Sequence, residues 1–242
     1  MNAILRRFAA RRHGADEPNV ASTSRSHVGR VREINEDRVL DRFDVRLWAV
    51  ADGMGGHSGG GEAAESLISH LSQIPAPVSQ EAIAQALARA NAAILGAGGG
   101  DSGTTAVVLH IDGDRAQLCW AGDSRAYLIR GGTLRLLTRD HSVVQQLVDA
   151  GALTPEQAAH HPRANVITSA LGVGEAVIID RTSHRLAPGD RLLLCTDGLS
   201  RSLCDRDVAH PEPLDSQADR LLTNALQRDG GDNISLVLIA FG

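Results

Sequence analysis

The sequence predicts an α+β fold in which antiparallel sheets are covered by helices. Three observations carry this. Apolar, β-prone runs follow one another in groups rather than alternating singly with helices. Asp112-Gly113 and Gly131-Gly132 stand between neighbouring runs as hairpin turns. Segments with helical spacing come in pairs, at 62–71 with 79–95 and at 141–150 with the segment opening at Thr154.

The elements follow in order. Residues 1–22 read as a tail, with four arginines and no lasting hydrophobic period. Val45–Val50 is the first strand and runs into Ala51-Asp52-Gly53; Gly53–Gly61 is a glycine loop. Ala63, Leu67, Ile68 and Leu71 share one face of a helix over 62–71, and Ser79 opens a second helix that reaches Leu95. Strands are expected at Thr104–Ile111, Ala116–Ala121, Ala126–Arg130 and Thr133–Leu137. A helix follows over His141–Ala150, and Pro155 suits the first turn of another. Strands return at Ala176–Ile179 and Arg191–Cys195; then come a helix over Ser216–Gln227 and a last strand over Ile234–Phe241.

Composition narrows the chemistry. All 24 basic residues are arginine, so Schiff-base, phosphate-loop and kinase-type lysines are excluded. Six aromatic residues and a net charge of −5 leave little for base stacking or a phosphate-backbone footprint, so nucleic acid is not an expected partner. No apolar run approaches the roughly 18–20 residues of a bilayer span. The arginine-rich start lacks the apolar core of a secretion signal. Cys119, Cys195 and Cys204 form no C-x-x-C pair and read as reduced thiols of a cytoplasmic protein.

The functional signal is acidic. Asp52, Asp123 and Asp197 each lie just past the end of an apolar run, and Asp232 just before one, all beside Gly or Asn; Glu36-Asp37 precedes Arg38-Val39-Leu40. One such Asp is ordinarily a turn residue. Several brought to one sheet edge would repel one another unless a cation were present. Oxygen donors without a Cys/His set favour Mg²⁺ or Mn²⁺, in one or two ions. Arg32, four residues before Glu36, would suit a phosphate beside such ions, although alone it reads as a solvated strand residue.

Six motifs then carry a resemblance: Arg32-Glu33-Ile34-Asn35-Glu36-Asp37, Ala51-Asp52-Gly53-Met54-Gly55-Gly56-His57, Gly103-Thr104-Thr105, Ala121-Gly122-Asp123-Ser124-Arg125, Thr196-Asp197-Gly198-Leu199 and Asp232-Asn233-Ile234-Ser235. In order and spacing they resemble the metal-dependent Ser/Thr protein phosphatases of type 2C (the PPM family), compact bacterial type, over residues 23–242. The resemblance implies a four-layer α-β-β-α sandwich, two antiparallel sheets with helix pairs outside. It implies a centre of two Mn²⁺ or Mg²⁺ ions, with Asp52 bridging both. The Gly53 carbonyl and Glu36 would serve one ion, Asp197 and Asp232 the other, and Asp123 a third, weaker ion. Arg32 would grip the substrate phosphate, Thr104 and Ser235 would support the site, and 140–172 would be a flap.

The implied reaction is hydrolysis of phosphoSer and phosphoThr by in-line attack of a hydroxide shared by the ions. The general acid stays open between His57 and a metal-bound water, because Met54 stands where many eukaryotic members have histidine. Phosphorylated proteins are the implied partners, with a eukaryotic-like bacterial Ser/Thr kinase and, in type VI secretion settings, a forkhead-associated protein. The chain is expected to be a monomer without a membrane anchor. Two rival motifs lack their context. Ser124 would need a following helix to be a nucleophile elbow, and Gly98–Gly103 follows a helix where a dinucleotide loop follows a strand. A relative that only binds phosphoproteins is the remaining alternative.

Overall fold

A computed structural model describes residues 19–55, 59–98, 100–174 and 176–242. Its strands are β1 (Val20–His27), β2 (Arg38–Arg42), β3 (Leu47–Ala51), β4 (Gly53–Gly55), β5 (Ser102–Thr104), β6 (Ala106–Asp112), β7 (Arg115–Ala121), β8 (Arg125–Arg130), β9 (Thr133–Leu136), β10 (Asp180–Arg185), β11 (Arg191–Cys195) and β12 (Ile234–Phe241). Its helices are α1 (Gly59–Ser72), α2 (Gln80–Gly98), α3 (Val143–Asp149), α4 (Pro155–Ala159), α5 (Asp197–Ser200) and α6 (Leu214–Arg228). One sheet runs β1-β12-β11-β8-β9 and the other β10-β7-β6-β3-β2, each antiparallel throughout; β4 and β5 pair apart from both.

Period-two alternation builds the layers. Trp48 and Val50 of β3, Val107 and Leu109 of β6, Leu192 and Leu194 of β11, and Val237 and Ile239 of β12 meet between the sheets. The alternate residues Leu47, Ala49 and Val108 face Leu67 and Leu71 of α1 and Ile83 and Leu87 of α2. On the other side Leu193, Cys195, Leu236 and Leu238 receive Leu199 of α5 and Ala218, Leu221 and Ala225 of α6. This is the four-layer α-β-β-α sandwich; the second outer layer is α6 with one turn of α5. No helix among the described residues is long and apolar enough to cross a membrane.

Several boundaries differ from the sequence reading. β1 begins at Val20, taking in three residues assigned to the tail, and was missed as a strand. Its buried positions are Val20, Thr23 and Arg25, and Arg25 is paired with Asp215 and Asp219 of α6, so no apolar alternation marks it. The strand expected at Ala176–Ile179 is instead irregular. Val177 and Ile179 pack on the α1/α2 core, and the pairing partner of β7 is the polar edge strand Asp180–Arg185. The expected strand at Val45 starts at Leu47, because Phe43–Val45 is a 3₁₀ turn closed by Arg46 at φ 54°.

The run expected as one strand from Thr104 splits at Thr105, whose N–H turns to the Asp52 carbonyl at 2.9 Å. α1 starts three residues early, within the expected glycine loop. The Gly131-Gly132 turn has φ of 58° and 76°, the mirror-image hairpin geometry the sequence called for. Ser79 Oγ accepts from the Ala82 N–H at 3.1 Å at the start of α2, and Thr154 with Gln157 forms a capping box on α4.

Candidate metal and phosphate site

The sandwich brings the strand-end acids to one edge. Asp52 directly follows β3, and its carbonyl accepts from Thr105 N at 2.9 Å and from Thr104 Oγ1 at 3.1 Å. Asp123 follows β7, Asp197 opens α5 directly after β11, and Asp232 precedes β12. Asp37, which the sequence reading noted but left out of the site, joins them: it is buried, and its Oδ2 accepts from Thr196 Oγ1 at 2.9 Å.

Electrostatics ties the five together. Burial, then repulsion from Asp37, Asp197, Asp123 and Asp232, holds the Asp52 carboxyl well above the ordinary carboxylate range. Burial, with Asp197 and Asp232 adding to it, raises Asp37 to about 7. Burial, with Asp197 and Asp140 adding to it, raises Asp123 to about 7. Protein cations answer part of this charge. Arg32 donates from Nε to Asp232 Oδ1 at 2.9 Å and from Nη2 to Oδ2 at 3.0 Å. Arg201 pairs with Asp197 and lies 4.0 Å from Asp232.

Glu36 and Gly53 meet at the other end of the site. Glu36 Oε1 accepts from the Gly61 N–H at 3.1 Å. A Cβ on Gly53 would stand 2.2 Å from the Gly60 carbonyl oxygen and 2.8 Å from that of Glu36, so the glycines opening α1 let three backbone segments touch. Gly53→Ala should therefore destabilise the fold by about 2–3 kcal/mol, the upper part of the overpacking range, and should lower activity with it. Thermal melting beside an activity assay checks both.

The loop before β2 is pinned by Asn233, a residue whose role sequence reasoning missed. Its Nδ2 donates to the carbonyls of Val28 and Ile34 at 2.9 and 3.0 Å, and its Oδ1 accepts from the Glu36 N–H at 2.8 Å. Only its place beside Asp232 hinted at this. Ser235 bonds Ser26 Oγ at 2.8 Å and Ser124 bonds Thr105 Oγ1 at 2.8 Å; both are held inside the support of the site. β8, not a helix, follows Ser124. His57 lies outside the described residues.

Among the described residues no three His, Cys, Asp or Glu side chains surround one point as ready ligands. Two of the acids are turned onto arginines instead. Yet Asp37 Oδ1 and Asp197 Oδ1 are buried with no hydrogen-bond partner. Buried, mutually repelling carboxylates with orphaned oxygens need a cation, and hard divalent ions fit an all-oxygen set.

A family model described as protein phosphatase 2C matches residues 25–236. The chain belongs to the protein phosphatase 2C family. It is 37% identical over 231 residues to the serine/threonine protein phosphatase PstP of Mycobacterium tuberculosis, which covers 89% of this chain; the chain spans 44% of that relative's length. Among solved structures it resembles PppA, described as a key regulatory component of T6SS in Pseudomonas aeruginosa, with a TM-score of 0.83 and 38% identity, covering 92% and 98% of the two chains. It also resembles the catalytic domain of PstP in complex with two manganese ions, with a TM-score of 0.81 and 35% identity, covering 92% and 98%. The protein phosphatase 2C fold thus has the two antiparallel sheets and outer helices that the resemblance implied.

Proposed function

We propose that this chain is a metal-dependent protein serine/threonine phosphatase that hydrolyses phosphoserine and phosphothreonine monoesters. The observation that carries the reading is the convergence of Asp37, Asp52, Asp123, Asp197 and Asp232 at strand ends drawn from both sheets, with Arg32 beside them at the surface. Asp52, which the other four repel, would be shared by two ions of Mn²⁺ or Mg²⁺. Gly53 and Glu36 would serve one, Asp197 and Asp232 the other, and Asp123 a further, weaker one. When bound, the ions supply Lewis acidity that activates water as the nucleophile and offsets charge on the phosphate oxygens.

The chain's residues do the rest. Thr104 and Thr105 fix the Asp52 backbone, Asn233 fixes the Glu36 loop, and Thr196 holds Asp37. Arg32, 56% exposed, would turn its planar fork from Asp232 to the phosphate. The water oxygen bonds to phosphorus, the bond to the Ser or Thr oxygen breaks, and that oxygen takes up a proton.

Phosphate release from phosphoserine and phosphothreonine peptides tests the reading, with Arg32→Ala alongside. The variant should raise KM by roughly tenfold, more than it lowers kcat, as for a group that binds ground and transition states alike. An unchanged KM would remove Arg32 from that role.

The substrates are phosphorylated proteins, and a cognate Ser/Thr kinase stands opposite this activity in the cytoplasm. The likeness to PppA supports a type VI setting, where a forkhead-associated protein would be a further partner. Two buried thiols, Cys119 and Cys195, agree with a reducing compartment.

A further inference from the structure

One cation in the acidic site comes from the same helix as the acid it covers. Arg201 lies one turn beyond Asp197, and its N–H donates to the Asp197 carbonyl at 3.0 Å, so the two side chains share a face. Its Nη2 donates to Asp197 Oδ2, and its Nη1 lies 4.0 Å from Asp232 Oδ2. The same guanidinium also draws down Asp123. The pairing is incomplete, since Asp197 Oδ1 remains buried without a partner.

Arg201 differs from Arg32. Arg32 arrives from a loop and holds Asp232 alone with both arms of its fork, whereas Arg201 reaches across Asp197 and Asp232. An arginine cannot give up its proton to make way for an ion. It can leave only by swinging out, and its side chain, 35% exposed, has solvent beside it.

We propose that Arg201 is a built-in counter-cation of the metal centre, occupying Asp197 and Asp232 in the metal-free protein and competing with divalent ions for them. The inference rests on reading those two acids as metal ligands. It has two consequences of opposite sign. Without metal, Arg201 offsets repulsion among buried carboxylates and stabilises the fold. With metal, breaking its ion pairs is part of binding, so the ions are held less tightly than the acids alone would hold them.

The test titrates Mn²⁺ into metal-stripped wild type, Arg201→Ala and Arg201→Gln, reading free Mn²⁺ by electron paramagnetic resonance. Each is also melted in chelator. Either variant should lower the apparent Mn²⁺ dissociation constant by about tenfold, the scale of one partly solvated ion pair at a charged site. Each should also melt below wild type in chelator and regain the difference when Mn²⁺ is added. Arg201→Gln serves if the alanine variant fails to fold. Arg201→Lys, which keeps the charge, should stay near wild type. Equal or weaker Mn²⁺ affinity in the variants, with wild type binding normally, overturns the inference and leaves the metal centre standing. Wild type that binds no Mn²⁺ overturns both.

Discussion

Asp52→Asn should lower kcat on a phosphopeptide by at least two to three orders of magnitude, on the order of the loss seen when one preorganised electrostatic element is removed. The substitution keeps the shape of the side chain and the backbone bonds to Thr104 and Thr105, so the fold should survive. It removes the charge on which the other acids converge. The same change should raise the melting temperature of the metal-free protein, because a buried carboxylate repelled by Asp37, Asp197, Asp123 and Asp232 is replaced by a neutral amide. Opposite movement of activity and metal-free stability separates a metal ligand from a structural residue. Full activity in the variant would remove Asp52 from the centre.

Metal-free protein should become less stable as pH rises, and Mn²⁺ should reverse the trend. Asp37 and Asp123 are raised from 3.8 to about 7, Asp52 well above 3.8, and Asp197 upward, each first by burial. Between those limits the folded chain holds more protons than the unfolded one, so the stability slope with pH is negative. The stabilisation is full below the ordinary carboxyl value and is lost as pH passes about 7 for Asp37 and Asp123. His110 and His184, whose values burial lowers, oppose this at acid pH but lack the mutual repulsion of the cluster. Melting in chelator should therefore give a lower temperature at pH 8 than at pH 6. With Mn²⁺ present the ionised acids are the bound form, and the pH 8 sample should gain most. A metal-free melting temperature that rises from pH 6 to pH 8 would contradict the cluster's electrostatics.

What the sequence made legible depended on locality. β3, β6, β11 and β12 were readable because their apolar residues are continuous, and the acids beside β3, β7, β11 and β12 because Gly or Asn stood next to them. Residues that act through a partner far along the chain were not readable. β1 hides its strand character because Arg25 is buried against Asp215 and Asp219. β10 is a polar edge strand, and the apolar run before it packs as a loop under α1 and α2. Asp37 resembled a turn acid until Thr196 was found 2.9 Å away. Nothing in the sequence around Arg201 marks it; the fold alone sets it against Asp197 and Asp232.

The central claim is that these acids hold ions that drive phosphate hydrolysis. Its most direct test is release of phosphate from a phosphothreonine peptide by metal-stripped protein, before and after adding Mn²⁺ or Mg²⁺. The account predicts no release until metal is added and turnover afterwards. Equal release with and without metal, or none with either ion from protein shown to be folded, would contradict it; the second result would point to a module that binds phosphoproteins without cleaving them.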